Sequence, residues 1–155
     1  MEDGSNRLWA YLPKLRRIRS PVTVSPIFPP MLAVRSSEYF PRPDYFALMA
    51  AAERFVVADT FQYSRQSFQN RAKVRTPDGW TWMSVPLKGG QHGQPQHATR
   101  LRTSVPWQRQ HTRMLQYNYQ TAPFWPHYAS DLTALLEQPW ETLAALNVAT
   151  IRLLH

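Results

Sequence analysis

Residues 62–74 read QYSRQSFQNRAKV and crowd Gln62, Gln66, Gln69, Asn70, Arg65, Arg71 and Lys73 into thirteen positions. Guanidinium and ammonium groups hold carboxylates and phosphates, the former in bidentate fashion. Primary amides beside them add directional hydrogen bonds. Arg65, Asn70, Arg71, Lys73 and Lys88 therefore form a candidate anion-binding set, with Gln62 alongside. Three residues upstream, Asp59 closes the apolar run FVVAD. A carboxylate at that place is expected to be at least half-buried, where it can act as a base or pair with Arg65 or Arg71. The competing readings are a strand-end cap for Asp59 and, for the cations, a solvated strand whose positive charge discourages edge pairing. The density of amides favours a polar site wall, with Gln62, Asn70 and Arg71 turned into one cleft and Phe68 anchored in the core.

Five histidines (His92, His97, His111, His127 and His155) are present. Their spacing matches no metal-ligand motif, and His92 and His97 fall in KGGQHGQPQH, a glycine and glutamine segment that reads as a flexible loop. His111 shares a helical face with Trp107, Met114 and Leu115, which makes it the candidate acid or base; the alternative is a packed core histidine. The chain contains no cysteine, so disulfides, thiolate nucleophiles and Cys-bound zinc are excluded. GxSxG, GxGxxG and Walker patterns are missing as well, and no cofactor is expected.

The totals bound what these residues can belong to. A chain of 155 residues, 43% hydrophobic and with six Trp, builds one domain with a true core. Its formal charge of +8 favours an anionic partner. That argument is blunted by the first nineteen residues: without them the charge falls to about +5. The stretch RRIRSPVTVSPIFPP, with Pro21, Pro26, Pro29 and Pro30, opposes both helix and central strand, so residues 1–30 read as a basic, extended tail, with Met31 as an alternative natural start. The opening residues carry acids and no apolar h-region, and no apolar run is long enough to cross a bilayer, so a cytoplasmic location is the simplest expectation.

The elements that must position the candidates follow from periodicity. MLAVRSS reads as a strand, PDYFALMAAAERF as a helix with Pro43 and Asp44 in its first turn, and FVVADTF as a strand of the continuous apolar kind buried on both faces. Strand, helix, strand make a βαβ unit, whose ligands gather at the carboxyl ends of the strands. RAKVRTPDGWTWMSVPL reads as a hairpin turning at Pro77-Asp78-Gly79, with Thr81, Met83 and Val85 on one face and Trp80 and Trp82 on the other. ATRLRTSV reads as a further strand. Helices are expected over 107–119, 127–137 and 140–155, jointed at Pro123, Pro126 and Pro139. The fold class is α/β: an N-terminal βαβ unit, a small mixed sheet and a C-terminal helical segment, with residues 31–155 as a single domain.

In this order and spacing, Tyr39-Phe40-Pro41, Tyr45-Phe46, Asp59 with Gln62-Tyr63, Ser67 to Arg71, Trp82, Val85 to Lys88, Trp107, His111 and Tyr119 to Phe124 resemble the WbqC-like protein family of bacteria. The resemblance covers residues 33 to 150. It implies an association with O-antigen and other surface polysaccharides and, for some members, transfer of an aminoacyl group to an amino sugar; the family as a whole is largely uncharacterised. On that basis Tyr39, Gln62, Arg65, Asn70, Arg71 and Lys88 become candidate substrate-binding residues, with Asp59 or His111 deprotonating the sugar amine. The partner implied is a nucleotide-activated sugar or acyl donor. Family members begin near residue 33 and continue past residue 155, so an apolar face on Leu143, Leu146, Ile151 and Leu154 is expected to lie open. Three function classes stay in play: a transferase with a polar cleft, a non-catalytic partner subunit with a large apolar surface, and, ranked last, a nucleic-acid module with a basic face bearing exposed Trp or Tyr.

Overall fold

The computed structural model describes residues 9–11 and 31–155. The protein is an α/β fold with a C-terminal helical segment. Strand β1 (Trp9–Tyr11) pairs antiparallel with β3 (Arg54–Ala58), and β2 (Leu32–Ser36) pairs with β3 in parallel, from Leu32 opposite Arg54 to Ser36 opposite Ala58. Helix α1 (Pro43–Ala51) connects β2 to β3 and completes the βαβ unit. Apart from β1, the segment read as a basic tail lies outside the described residues.

Helix α1 starts where Pro43 can sit without forfeiting a hydrogen bond and carries Asp44 in its first turn. It is shorter than the expected PDYFALMAAAERF. The Ala52 N–H still bonds the Leu48 carbonyl, but the Glu53 N–H bonds Met31, and the backbone is committed to the sheet from there on. Tyr45 and Met49, one turn apart, bury against Ala33, Phe55 and Val57 of the sheet, with Ile151 from the C-terminal helix. The expected burial of both sheet faces is only half realised among the described residues. Leu32 and Val34 are exposed, and Val56 between them and β1 is half-buried.

A second, two-stranded sheet joins β4 (Arg71–Thr76) to β5 (Gly79–Ser84), paired from Arg71 with Ser84 to Thr76 with Gly79. Ala72, Val74 and Met83 face the core, joined by Val85 just beyond β5, while Arg71, Lys73, Trp80 and Trp82 face out, as the alternation requires. The described residues thus form two small sheets. The expected strand at ATRLRTSV does not form. Leu101 makes an isolated bridge with Leu87 and Arg100 another with Thr142, and no ladder extends from either.

Helices α2 (Trp107–Tyr119), α3 (Trp125–Glu137) and α4 (Leu143–Leu154) close the inner face of the hairpin. Trp107, His111 and Leu115 form the buried stripe of α2. Thr142 caps α4 by accepting the Ala145 N–H. Leu143 and Leu146 enter the main core and Ile151 enters the βαβ core, so one helix serves two clusters. This corrects the expectation of an open apolar face, because of the four residues named for it only Leu154 is exposed.

Candidate functional site

The segment that follows β3 is held by its partners more than by its own pattern. Residues 59–63 run beside 94–97: the His97 N–H donates to the Asp59 carbonyl (3.0 Å), Gln96 N–H to Phe61 (3.0 Å), and Tyr63 N–H to Gln94 (2.8 Å). The glycine and glutamine segment read as a flexible loop is therefore anchored at several points, and at its far end the Lys88 N–H bonds the Arg100 carbonyl. Gly90, at φ +73, sits in the left-handed region that a residue with a Cβ avoids.

Behind this strip lies a buried polar network. Ser37 donates its N–H and Oγ–H to Gln96 Oε1, and Gln96 Nε2 returns a hydrogen bond to the Ser37 carbonyl. Asn147 Nδ2 donates to Ser37 Oγ and to the Gln69 carbonyl, while Gln69 Oε1 accepts the Ser64 N–H. Four chain segments are locked together by amide groups that exclude water, and each carries a desolvation cost if its partner leaves.

Between residues 63–70 and 85–92 opens a cleft of about 420 Å³. Arg65, Asn70, Lys88 and His92 line it, Tyr63 is a further wall residue, and Gly89 and Gly90 present bare backbone. Asn70 donates its side-chain N–H to the Val85 carbonyl and so ties one wall to the other (3.1 Å). Among the described residues Arg35–Glu38, Arg42–Asp44 and Arg100–Glu141 form ion pairs, while neither Arg65 nor Lys88 is paired with a carboxylate. Burial pushes the Tyr63 hydroxyl up from its ordinary pKa, against the opposing pull of Arg65 and Arg71. Two cations without a carboxylate partner, an amide and a glycine turn are groups able to hold a carboxylate or phosphate.

The sequence candidates do not converge on one place, and Lys73 lies on the outward hairpin face over Trp80. Arg65, Asn70 and Lys88 meet in the cleft. Arg71 turns to the opposite face, where its guanidinium covers Trp82 (4.2 Å) and its Nε–H bonds the Ser67 carbonyl. Phe68, named as a core anchor, is only half-buried and lies under the Arg42 guanidinium and against Trp82. Gln62 is exposed in its bridge with Pro95, and Asp59 is half-buried at the end of β3.

Tyr39 and His111 lie elsewhere, inside the core. Tyr39 is fully buried and its hydroxyl donates to His111 Nδ1 (2.8 Å), while Nε2–H donates to the Ser84 carbonyl (3.2 Å). Burial lowers the His111 pKa to about 4, so the ring is neutral at pH 7, and burial raises the Tyr39 hydroxyl well above its usual value. Both ring nitrogens are committed to packing partners. Sequence reasoning missed Ser37, Gln96 and Asn147, since isolated polar residues in a loop and on a helix carry no local signal of burial.

The model of the WbqC-like protein family matches residues 36–155. The chain belongs to that family. The WbqC-like chain is 31% identical over 119 residues to the uncharacterized protein Rv1507c of Mycobacterium tuberculosis, a match covering 75% of this chain and 51% of that protein. It spans about half the length of the curated relative it matches. No solved structure matches it. Among the described residues no helix is long and apolar enough to cross a membrane, and no cluster of three or more His, Asp or Glu is placed to hold a metal ion.

Proposed function

We propose that the WbqC-like chain binds the anionic group of a nucleotide-activated sugar or an acyl donor in the Arg65–Lys88 cleft and serves acyl transfer to amino sugars in bacterial surface-polysaccharide synthesis. The observation that carries the binding half is the pair of cations facing one cleft with no carboxylate to neutralise them. Family membership supports the polysaccharide half. In this reading Arg65 and Lys88 grip the anion, and Asn70 sets the distance between the walls. His111 holds Tyr39 in place and transfers no proton, because its lone pair and its N–H are both engaged. Asp59, half-buried at the carboxyl end of β3 and outside the cleft lining, is the remaining candidate base.

A thermal-shift screen of nucleotide-activated amino sugars and acyl donors tests it. Stabilisation by one of them should vanish in the Arg65→Ala/Lys88→Ala double variant and survive in Asp59→Asn, which should lose turnover only. Stabilisation that persists in the double variant would remove the cleft from the proposal, and no stabilisation by any candidate would remove the ligand class.

A further inference from the structure

The outward face of the β4–β5 hairpin is the most unusual surface of the molecule. Along β4, Arg71, Lys73 and Arg75 stand at alternate positions, opposite Ser84, Trp82 and Trp80 of β5. The Lys73 ammonium lies 3.8 Å from the centre of the Trp80 ring, and the Arg71 guanidinium 4.2 Å from that of Trp82. The two indoles meet edge to face, with centroids 5.5 Å apart and planes at 83°. Trp80 remains 52% exposed although the Lys73 ammonium sits over its ring. Positive charge alone would protect a sheet edge. An open indole does not serve that end, since it leaves apolar area in water.

We propose that this face is a platform for single-stranded nucleic acid. A strand advances about 6.8 Å for every second residue, so the three cations form a regular row suited to a repeating anion. The exposed indole offers a stacking surface that any base can use, because every base presents a π-face. An anionic glycan would also satisfy the cations and can lay sugar C–H bonds on an indole face, so the polyglucuronate arm of the test separates it from a single strand. Duplexes keep their bases stacked inside and would meet only the charges. Single strands match both features at once.

The test titrates fluorescein-labelled twelve-nucleotide oligo-dT and oligo-U with the full chain between 50 and 300 mM NaCl, following anisotropy and tryptophan quenching. Occupation of three phosphates predicts a slope of log K against log salt of roughly −2, and Lys73→Gln should flatten it by roughly 0.7. Trp80→Ala should weaken binding about tenfold at constant salt, the scale of one lost base stack. Oligo-dT and oligo-U binding alike would show that the 2′-hydroxyl is not read; preference for one would name the strand. Unchanged affinity in both variants, or equal binding of polyglucuronate and duplex, would overturn the proposal by showing charge without stacking. If Trp80→Ala fails to fold, quenching of the unsubstituted protein decides, and its absence on oligonucleotide binding overturns the platform.

Discussion

The Tyr39 hydroxyl and Nδ1 of His111 lie 2.8 Å apart in the buried centre of the fold, although the two residues are seventy-two positions apart in the chain. With Nε2–H given to the Ser84 carbonyl, the neutral ring accepts the Tyr39 hydroxyl at Nδ1. His111 titrates near 4 when folded against about 6.5 when unfolded, so the unfolded chain binds the extra proton between those values. Stability contributed by neutral His111 is therefore complete above pH 6.5, falls as the pH drops through the window, and is fully lost below about 4. The depression corresponds to about 3 kcal/mol. Urea unfolding at pH 4 to 7.5 should show this slope in the unsubstituted protein, and a shallower one in His111→Gln, whose amide cannot take up the proton. Parallel slopes would remove His111 from the account.

Asn147 links α4 to Ser37 and to the Gln69 carbonyl, while its own Oδ1 is buried with no partner. Removing the amide strands two buried acceptors, which is costlier than losing two exposed hydrogen bonds. Asn147→Ala should lower stability by about 2–3 kcal/mol and the melting temperature by roughly 6–10 °C. Calorimetry checks it. Asn147→Asp should fare no better, because a buried carboxylate would face the Gln69 carbonyl oxygen.

These two sites mark where sequence reading succeeds and where it stops. The βαβ unit, the hairpin with Met83 inward and Trp80 outward, and α2 were legible because each follows from a period of two or 3.6 residues. The strand expected around Leu101 failed because Leu101 is buried by its neighbours from outside the segment, and burial alone does not align a ladder. Residue type grouped Arg65, Asn70 and Lys88, which the fold places along one cleft, but it also grouped Arg71, which strand parity places on the far face beside Trp82. Asn147 and Gln96 were invisible because their partners are distant in the chain, Gln96 lying fifty-nine residues from Ser37.

Gly79 adopts φ +135 at the start of β5, opposite Thr76. No heavy atom lies within 4 Å of the Cβ that a substitution would add, so the penalty is conformational and not steric crowding by neighbours. Gly79→Ala should cost about 1–3 kcal/mol. Denaturant unfolding monitored by Trp80 and Trp82 fluorescence should show the lowered midpoint with an unchanged m-value, because the packed core remains.

Asn70 lets cleft architecture be separated from cleft charge. Its side-chain N–H reaches the Val85 carbonyl across the opening, and the Val85 N–H returns to the Asn70 carbonyl at 2.8 Å. Asn70→Ala deletes one of these two ties and leaves Arg65 and Lys88 intact, so affinity for an anion should fall modestly, by about five- to tenfold. Asn70→Asp deletes the same tie and adds a carboxylate beside the cations. It also sets that carboxylate against the Val85 carbonyl. Binding of inorganic pyrophosphate, measured by calorimetry at pH 7.5, should then fall much further than in the alanine variant, and high salt should narrow the gap between the two variants. Equal losses in both would mean that wall spacing, and not the charge of Arg65 and Lys88, governs the site.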